Sequence, residues 1–174
     1  MRKPRHLEHG ATYHVTARTN RQEFIFAAEV VKKLFFFLLK RAKKKYKFKL
    51  KHYAIMSNHI HLLIEPRHKD DLPKIMQWLL GCFASRFNRL FGLKGHVWWD
   101  RYRSNIVKGP RKLQDTFRYI SENPVKAGLA DTADAYGYSG IYMIKRKLFY
   151  LIEPPDQLHD AYLKSLGLML FGSS

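Results

Sequence analysis

The chain has 174 residues, 46% of them apolar, which suits one domain, or one domain with an appendage, and excludes a disordered basic tail. Lys and Arg outnumber Asp and Glu by 32 to 14, a formal charge of +18 that speaks to partners rather than to fold and points first to nucleic acid. The single Cys82 excludes an intrachain disulfide and a cysteine-rich zinc framework, and the longest apolar run, Leu34 to Leu39, is too short to span a bilayer.

Met1-Arg2-Lys3-Pro4 leads into polar sequence with no signal-peptide stretch, so a soluble, cytoplasmic protein without a membrane partner is expected. From Thr12 to Arg18 the residues are β-branched and aromatic with partial alternation, which predicts a strand. A helix is predicted from Ala27 to Lys45, where Val30, Val31, Leu34, Phe35, Leu38 and Ala42 recur at helical spacing. Its far end is densely basic: eight of the twelve residues from Lys40 to Lys51 are Lys or Arg, either a solvated face or a surface for phosphates. Lys47 to Ile55 and His59 to Glu65 read as two strands joined by a tight Met56-Ser57-Asn58 turn. Alternation puts His59 and His61 on one face of the second strand and turns Ile60, Leu62 and Ile64 to the other, where a core would take them. Asp70-Asp71 opens a helix to about Phe91, with Leu72, Ile75, Met76, Leu79, Leu80, Phe83, Phe87 and Leu90 on one stripe.

Gly92 and Gly95 bracket a loop, and His96 to Val107 is predicted as a further strand. A last helix of the main unit is predicted from about Arg111 to Glu122, with Pro124 ending it at Asn123. The order strand, helix, strand, strand, helix, strand, helix implies an α+β fold of ferredoxin-like or RRM-like type, an antiparallel sheet with helices packed on it. Beyond Ala130 the sequence is Tyr-rich, with Pro154-Pro155 and a short helix near Leu158 to Leu166; residues 131–174 read as an extension packed on or near the unit formed by residues 1–130.

Two imidazoles side by side make half of a metal site. Tyr119 and Asn123 stand four residues apart on the last helix and so share a face; a helix packed near the His strand brings Asn123 towards the ion and Tyr119 just outside it. Taken singly, each residue has a plainer use: a satisfied interior His, a core aromatic, a helix C-terminal Asn before Pro.

Four blocks of the chain carry a family resemblance. They are Tyr13-His14-Val15-Thr16-Ala17-Arg18 continuing through Arg21-Gln22 to Phe26; Met56 to Glu65; Tyr119-Ile120-Ser121-Glu122-Asn123-Pro124-Val125-Lys126-Ala127-Gly128-Leu129; and Tyr136-Gly137-Tyr138-Ser139. In this order the chain resembles the single-tyrosine HUH transposases, and within them the REP-associated tyrosine transposases of bacteria, over roughly residues 8 to 142. It departs from the pattern at Ser57, where many relatives have Pro, and at Tyr138, where Trp is frequent.

The resemblance implies that residues 1–130 form a catalytic domain with His59, His61 and Asn123 as metal ligands and Tyr119 as nucleophile. The implied reaction cleaves and rejoins single-stranded, hairpin-flanked DNA through a 5′-phosphotyrosine, with Mg²⁺ or Mn²⁺ as cofactor. Single-stranded or hairpin DNA is then the partner, and a monomer is expected ahead of a homodimer. Phosphate contacts are expected from Lys40, Arg41, Lys43, Lys44, Lys45, Lys47, Lys49, Lys51, Arg101, Arg103, Lys108, Arg111 and Lys112. Trp98, Trp99 and Tyr102 could stack on unpaired bases, although at least one Trp is expected in the core. The competing readings are a non-catalytic nucleic-acid-binding module on the same fold, and another HUH enzyme such as a replication initiator or relaxase.

Overall fold

A computed structural model describes residues 7–67 and 70–168. The Met1-Arg2-Lys3-Pro4 opening, with the start of the first expected unit and the end of the second, lies outside the described residues. Four strands, β1 (Tyr13–Arg18), β2 (Phe48–Ile55), β3 (His59–Pro66) and β4 (Arg103–Ile106), form one sheet in the order β2-β3-β1-β4 with every pairing antiparallel. Helices α1 (Glu29–Lys45) and α2 (Leu72–Phe91) are the two crossovers of this ferredoxin-like sheet.

The sheet's two faces divide sharply. Tyr13, Val15 and Ala17 of β1, Tyr53 and Ile55 of β2, and Ile60, Leu62 and Ile64 of β3 are buried on the face that carries α1 and α2. Phe26, Phe35, Phe83 and Trp98 form an aromatic cluster there, with ring separations from 5.1 to 6.3 Å. The stripe predicted on α2 is this core, except that Leu90 is exposed. Asp71 caps α2 by accepting from the Lys74 N–H at 2.9 Å, and Gly92 ends it in the left-handed region at φ 63. No helix of the described residues is long and apolar enough to cross a membrane.

The other face carries His14, Thr16 and Arg18 of β1, His59, His61 and Leu63 of β3, and Arg103 and Asn105 of β4, aligned as cross-strand partners. A bulge between Leu50 and His52 breaks the alternation of β2, so that Leu50 faces the core opposite Ile64 while His52 and Ala54 join Leu63 and His61 on this second face. Helix α3 (Gly109–Lys126) lies over its β2 side, burying Phe117, Ile120 and Ser121. Cover thins towards β4: His52 and His61 are buried, His14 and Thr16 half-buried, Arg103 and Asn105 exposed.

Three elements differ from expectation. β4 is shorter than the span from His96 to Val107; an isolated bridge, Thr19 to Trp98, with the Trp99 N–H to Arg18 carbonyl (3.0 Å) and Asn20 N–H to Val97 carbonyl (2.8 Å) bonds, extends the pairing towards its start. Helix α3 does not stop at Asn123 but continues through Pro124 to Lys126. Beyond Pro124, a proline this close to the helix end forfeits one bond, and the end is secured by a Schellman motif: Leu129 N–H to the Pro124 carbonyl at 2.8 Å, Gly128 N–H to Val125 at 2.9 Å, with Gly128 at φ 67. The predicted helix near Leu158 to Leu166 is a 3₁₀ turn, Gln157–His159, followed by α5 (Asp160–Ser165).

Residues 131–168 close around β2 and α3. The outer edge of β2 is bonded at Ile55 N–H to the Tyr138 carbonyl (3.0 Å), at the Leu50 carbonyl by the Glu153 N–H (2.8 Å), and at the Phe48 carbonyl by Lys43 Nζ (2.9 Å). Ser139 Oγ donates to the Tyr136 carbonyl (2.9 Å) and accepts from the Tyr142 N–H (3.3 Å), capping α4 (Gly140–Lys145).

Candidate active site

The polar positions of β1 and β3 come together beside α3. His59 and His61 point their Nε2 atoms at each other, 3.1 Å apart. Asn58 Nδ2 donates to the Gln22 carbonyl (3.3 Å), so its Oδ1 is the acceptor facing His59 Nδ1 at 2.7 Å. The His59 proton therefore sits on Nδ1 and its Nε2 presents a lone pair. His61 Nδ1 lies 3.0 Å from His14 Nε2 and 3.3 Å from Thr16 Oγ1, either of which can accept its proton and leave Nε2 as a second lone pair. Burial holds both imidazoles in the neutral form that a metal requires, pushing His59 down to about 4 and His61 to about 2. The neighbouring Arg18 lowers His59 further, and His59 lowers His61.

Tyr119 leans over this pair from α3. Its ring meets His61 edge-on at 5.7 Å and His14 at 5.9 Å, centroid to centroid, and it is 46% exposed, open to an incoming polymer. Burial and the charge of Lys112 push the His14 pKa down, and its ring stacks on His61 at 5.2 Å. Asn123 stays with its own helix, Nδ2 donating to the Tyr119 carbonyl at 2.7 Å. Among the described residues no group of three His, Cys, Asp or Glu is placed to hold a metal ion. The two facing Nε2 atoms are the donors seen here, half of the ligand set that a divalent ion would need.

Two clefts adjoin the histidines. One, of about 520 Å³, is lined by His14, Asn105, Lys112, Asp115, Thr116 and Tyr119. The other, of about 490 Å³, is lined by Thr16, Arg18, Arg21, Trp99, Arg101 and Arg103, with Asp100 at its wall. Arg21 and Gln22 adopt left-handed backbone at φ 50 and 56, uncommon for non-glycine residues. The loop is held there by Thr19 Oγ, which donates to the Glu23 carbonyl (2.7 Å) and lies 3.0 Å from that of Asn58.

Of the expected DNA contacts, Arg101 and Arg103 line the second cleft and Lys112 the first. The basic run from Lys40 to Lys51 is divided by the fold. Lys40 to Lys45 belong to α1, behind the sheet from the histidines; Lys40 covers the Tyr150 ring at 5.0 Å, Arg41 that of Phe37 at 5.9 Å and Lys45 that of Tyr46 at 5.5 Å. Lys43 pairs with Glu153 at 2.5 Å, Lys51 with Glu65 at 3.2 Å and Lys108 with Glu8 at 2.8 Å. Lys44, Lys47, Lys49 and Arg111 are exposed.

Trp98 and Tyr102 need correcting as base-stacking residues. Trp98 sits in the aromatic core with Nε1 donating to the Leu80 carbonyl (3.0 Å), and Tyr102 is buried beside it on the α2 side of the sheet. Trp99 is the exposed one, at 68%. Sequence reasoning gave no role to His14, Thr16, Arg18, Arg21 or Asn58. The alternation of His14, Thr16 and Arg18 in β1 was the available signal for three of them.

A family model described as "Transposase IS200 like" matches residues 8–123. A search of curated proteins gives no match. Among solved structures, a REP-associated tyrosine transposase bound to a REP hairpin superposes with a TM-score of 0.72 at 18% identity, covering 90% of this chain and 92% of that one. The likeness shows a shared fold. A Deinococcus radiodurans protein described as a candidate transposase matches at a TM-score of 0.49 and 22% identity over 70% of this chain and 97% of that one.

Proposed function

Because the chain belongs to the IS200-like transposase family, we propose that it cleaves and rejoins single-stranded, hairpin-flanked DNA through a 5′-phosphotyrosine on Tyr119. The observation that carries this reading is the placement of Tyr119 against the His59–His61 pair at the open margin of α3.

In the proposed step the Tyr119 oxygen attacks a backbone phosphorus and loses its proton. The bond from phosphorus to the 3′ oxygen breaks, and that oxygen leaves as a 3′-hydroxyl after taking up a proton. The phosphodiester becomes a phosphotyrosine ester of similar energy, so no ATP is consumed, and attack by a 3′-hydroxyl reverses the step. His59 and His61, with the Asn123 side-chain oxygen, would hold Mg²⁺ or Mn²⁺, which when bound neutralises and polarises the phosphate. Asn58, His14 and Thr16 hold the two imidazoles in orientation. Arg18, Arg21, Arg101 and Arg103 bind the backbone phosphates of the strand and Trp99 stacks on a base. A monomer suffices for this chemistry, since Tyr119 lies against His61 of its own chain, whose Nε2 faces that of His59.

The test is an end-labelled hairpin oligonucleotide with a single-stranded flank, taken from DNA beside the gene and incubated with Mn²⁺ or Mg²⁺. A protease-sensitive covalent adduct with the native protein, absent with Tyr119→Phe, is the expected result. DNA binding without any adduct on every flanking hairpin would replace this reading with a non-catalytic binding module.

A further inference from the structure

His52 is fully buried between the sheet and α3, and the polarity of its bonds is fixed. Nδ1 accepts from the Tyr53 N–H at 2.9 Å, so the ring proton is on Nε2, which donates to Ser121 Oγ at 2.7 Å. Ser121 Oγ donates in turn to the Phe117 carbonyl at 2.9 Å. The bulge after Leu50 is what turns His52 towards α3. Phe117 lies against its ring at 4.4 Å. On the remaining side Gly140, the first residue of α4, leaves the space: a Cβ there would stand 2.4 Å from His52 Nδ1.

A buried polar pair of this kind is not required for packing, because apolar groups of the same shape stabilise about as well. What a directional bond adds is register. Ser121 is two residues from Tyr119, on the same rigid helix. Tyr119 sits on the helix flank, not on its buried face, so its distance from His61 depends directly on rotation about the axis. A turn of about 10° moves a side-chain tip ~6 Å from the axis by roughly 1 Å. A displacement of about 1 Å at the reacting atoms can slow a reaction on the order of a hundredfold.

We propose that His52, acting through Ser121 and given room by Gly140, is a positioning residue that sets the rotation of α3 and so holds Tyr119 against His61 and His14. The proposal rests on Tyr119 as the nucleophile.

The experiment compares Ser121→Ala, His52→Leu, His52→Gln and Gly140→Ala for single-turnover adduct formation at saturating hairpin DNA and Mn²⁺, with DNA affinity and melting temperature measured alongside. Ser121→Ala and His52→Leu are expected to slow adduct formation by about 10- to 100-fold with DNA affinity unchanged. His52→Gln, whose terminal amide can donate to Ser121, should restore part of that rate, and Gly140→Ala should slow it with both bonding partners intact. Native rates in folded Ser121→Ala and Gly140→Ala would overturn the proposal, as would losses of rate that merely follow losses of affinity. If the native protein forms no adduct, it is the nucleophile assignment that fails. The ¹⁹F signal of 3-fluorotyrosine incorporated at position 119 then decides positioning by itself: a shift in Gly140→Ala supports it, and an unmoved signal overturns it.

Discussion

Asn58 Oδ1 and His59 Nδ1, 2.7 Å apart, form the bond that decides which way the His59 lone pair faces. Asn58 is itself tied to the Thr19–Glu23 loop through its carbonyl and its amide, so the loop carrying Arg21 and the imidazole of His59 are one mechanical unit. Groups that orient a ligating histidine are typically worth a factor of about 10–100 in metal affinity. Asn58→Ala should therefore weaken Mn²⁺ binding by about that factor. A titration followed by the electron paramagnetic resonance of free Mn²⁺ would check this; unchanged affinity would detach Asn58 from the site.

The two adjacent tryptophans should separate cleanly. Trp99→Ala removes an exposed ring and is expected to leave the melting temperature in place while weakening single-stranded DNA binding by about 1–3 kcal/mol. Trp98→Ala removes a member of the Phe26, Phe35 and Phe83 cluster and should destabilise the fold by about 3–5 kcal/mol. Fluorescence anisotropy with a labelled oligonucleotide and urea unfolding of both variants give the comparison. A binding defect confined to Trp98→Ala would reverse the assignment.

Stability should fall as pH drops below neutrality. Burial lowers His52 from 6.5 to about 3, with the neighbouring His159 and His14 contributing, and burial lowers His159 as well. Between the folded and unfolded values the unfolded chain binds the extra proton, so the stabilisation is fully present above 6.5 and is lost as pH falls towards 3. Each such histidine contributes at most about 1.4 kcal/mol per pH unit in that window. Urea unfolding of metal-free protein at pH 7, 6, 5 and 4 should show a steeper loss for the native chain than for His52→Gln. Parallel curves would contradict it.

Gly128 stands at φ 67 with open space where a Cβ would go, so Gly128→Ala tests backbone strain alone. The left-handed conformation costs an L-residue roughly 1–2 kcal/mol, and the variant should lose about that much stability in urea unfolding. Gly128→Asn should lose less. No difference between Ala and Asn would mean that the Schellman end of α3 relaxes on substitution.

The strands and long helices were legible because their apolar periods are intact: Ile60, Leu62 and Ile64 alternate with His59 and His61, and the stripe from Leu72 to Phe87 marks α2. The His pair and Tyr119 were legible as chemistry, and the fold brings them together. Asn123 was expected at the same place; its Nδ2 donates to the Tyr119 carbonyl, a bond that leaves its Oδ1 unengaged. Pro124 misled because a rule about local backbone preference says nothing of the Schellman bonds beyond it. One tryptophan was expected in the core and Trp98 is there, but which of the two was not legible, because the adjacent Trp99 turns outward beside the isolated Thr19 to Trp98 bridge. His52 could not be placed at all: a one-residue bulge reverses its face, and nothing in the local pattern marks it.

The bonds that Tyr138, Glu153 and Lys43 make along β2 bear on assembly. An edge strand with free N–H and C=O groups is a template on which a second chain can continue the sheet. Here Tyr138, Glu153 and Lys43 already occupy that edge at Ile55, Leu50 and Phe48. Two copies joining their sheets strand to strand along β2 would first have to peel away the polypeptide that seats α4 against His52, so self-association by that route disturbs the support of the helix bearing Tyr119.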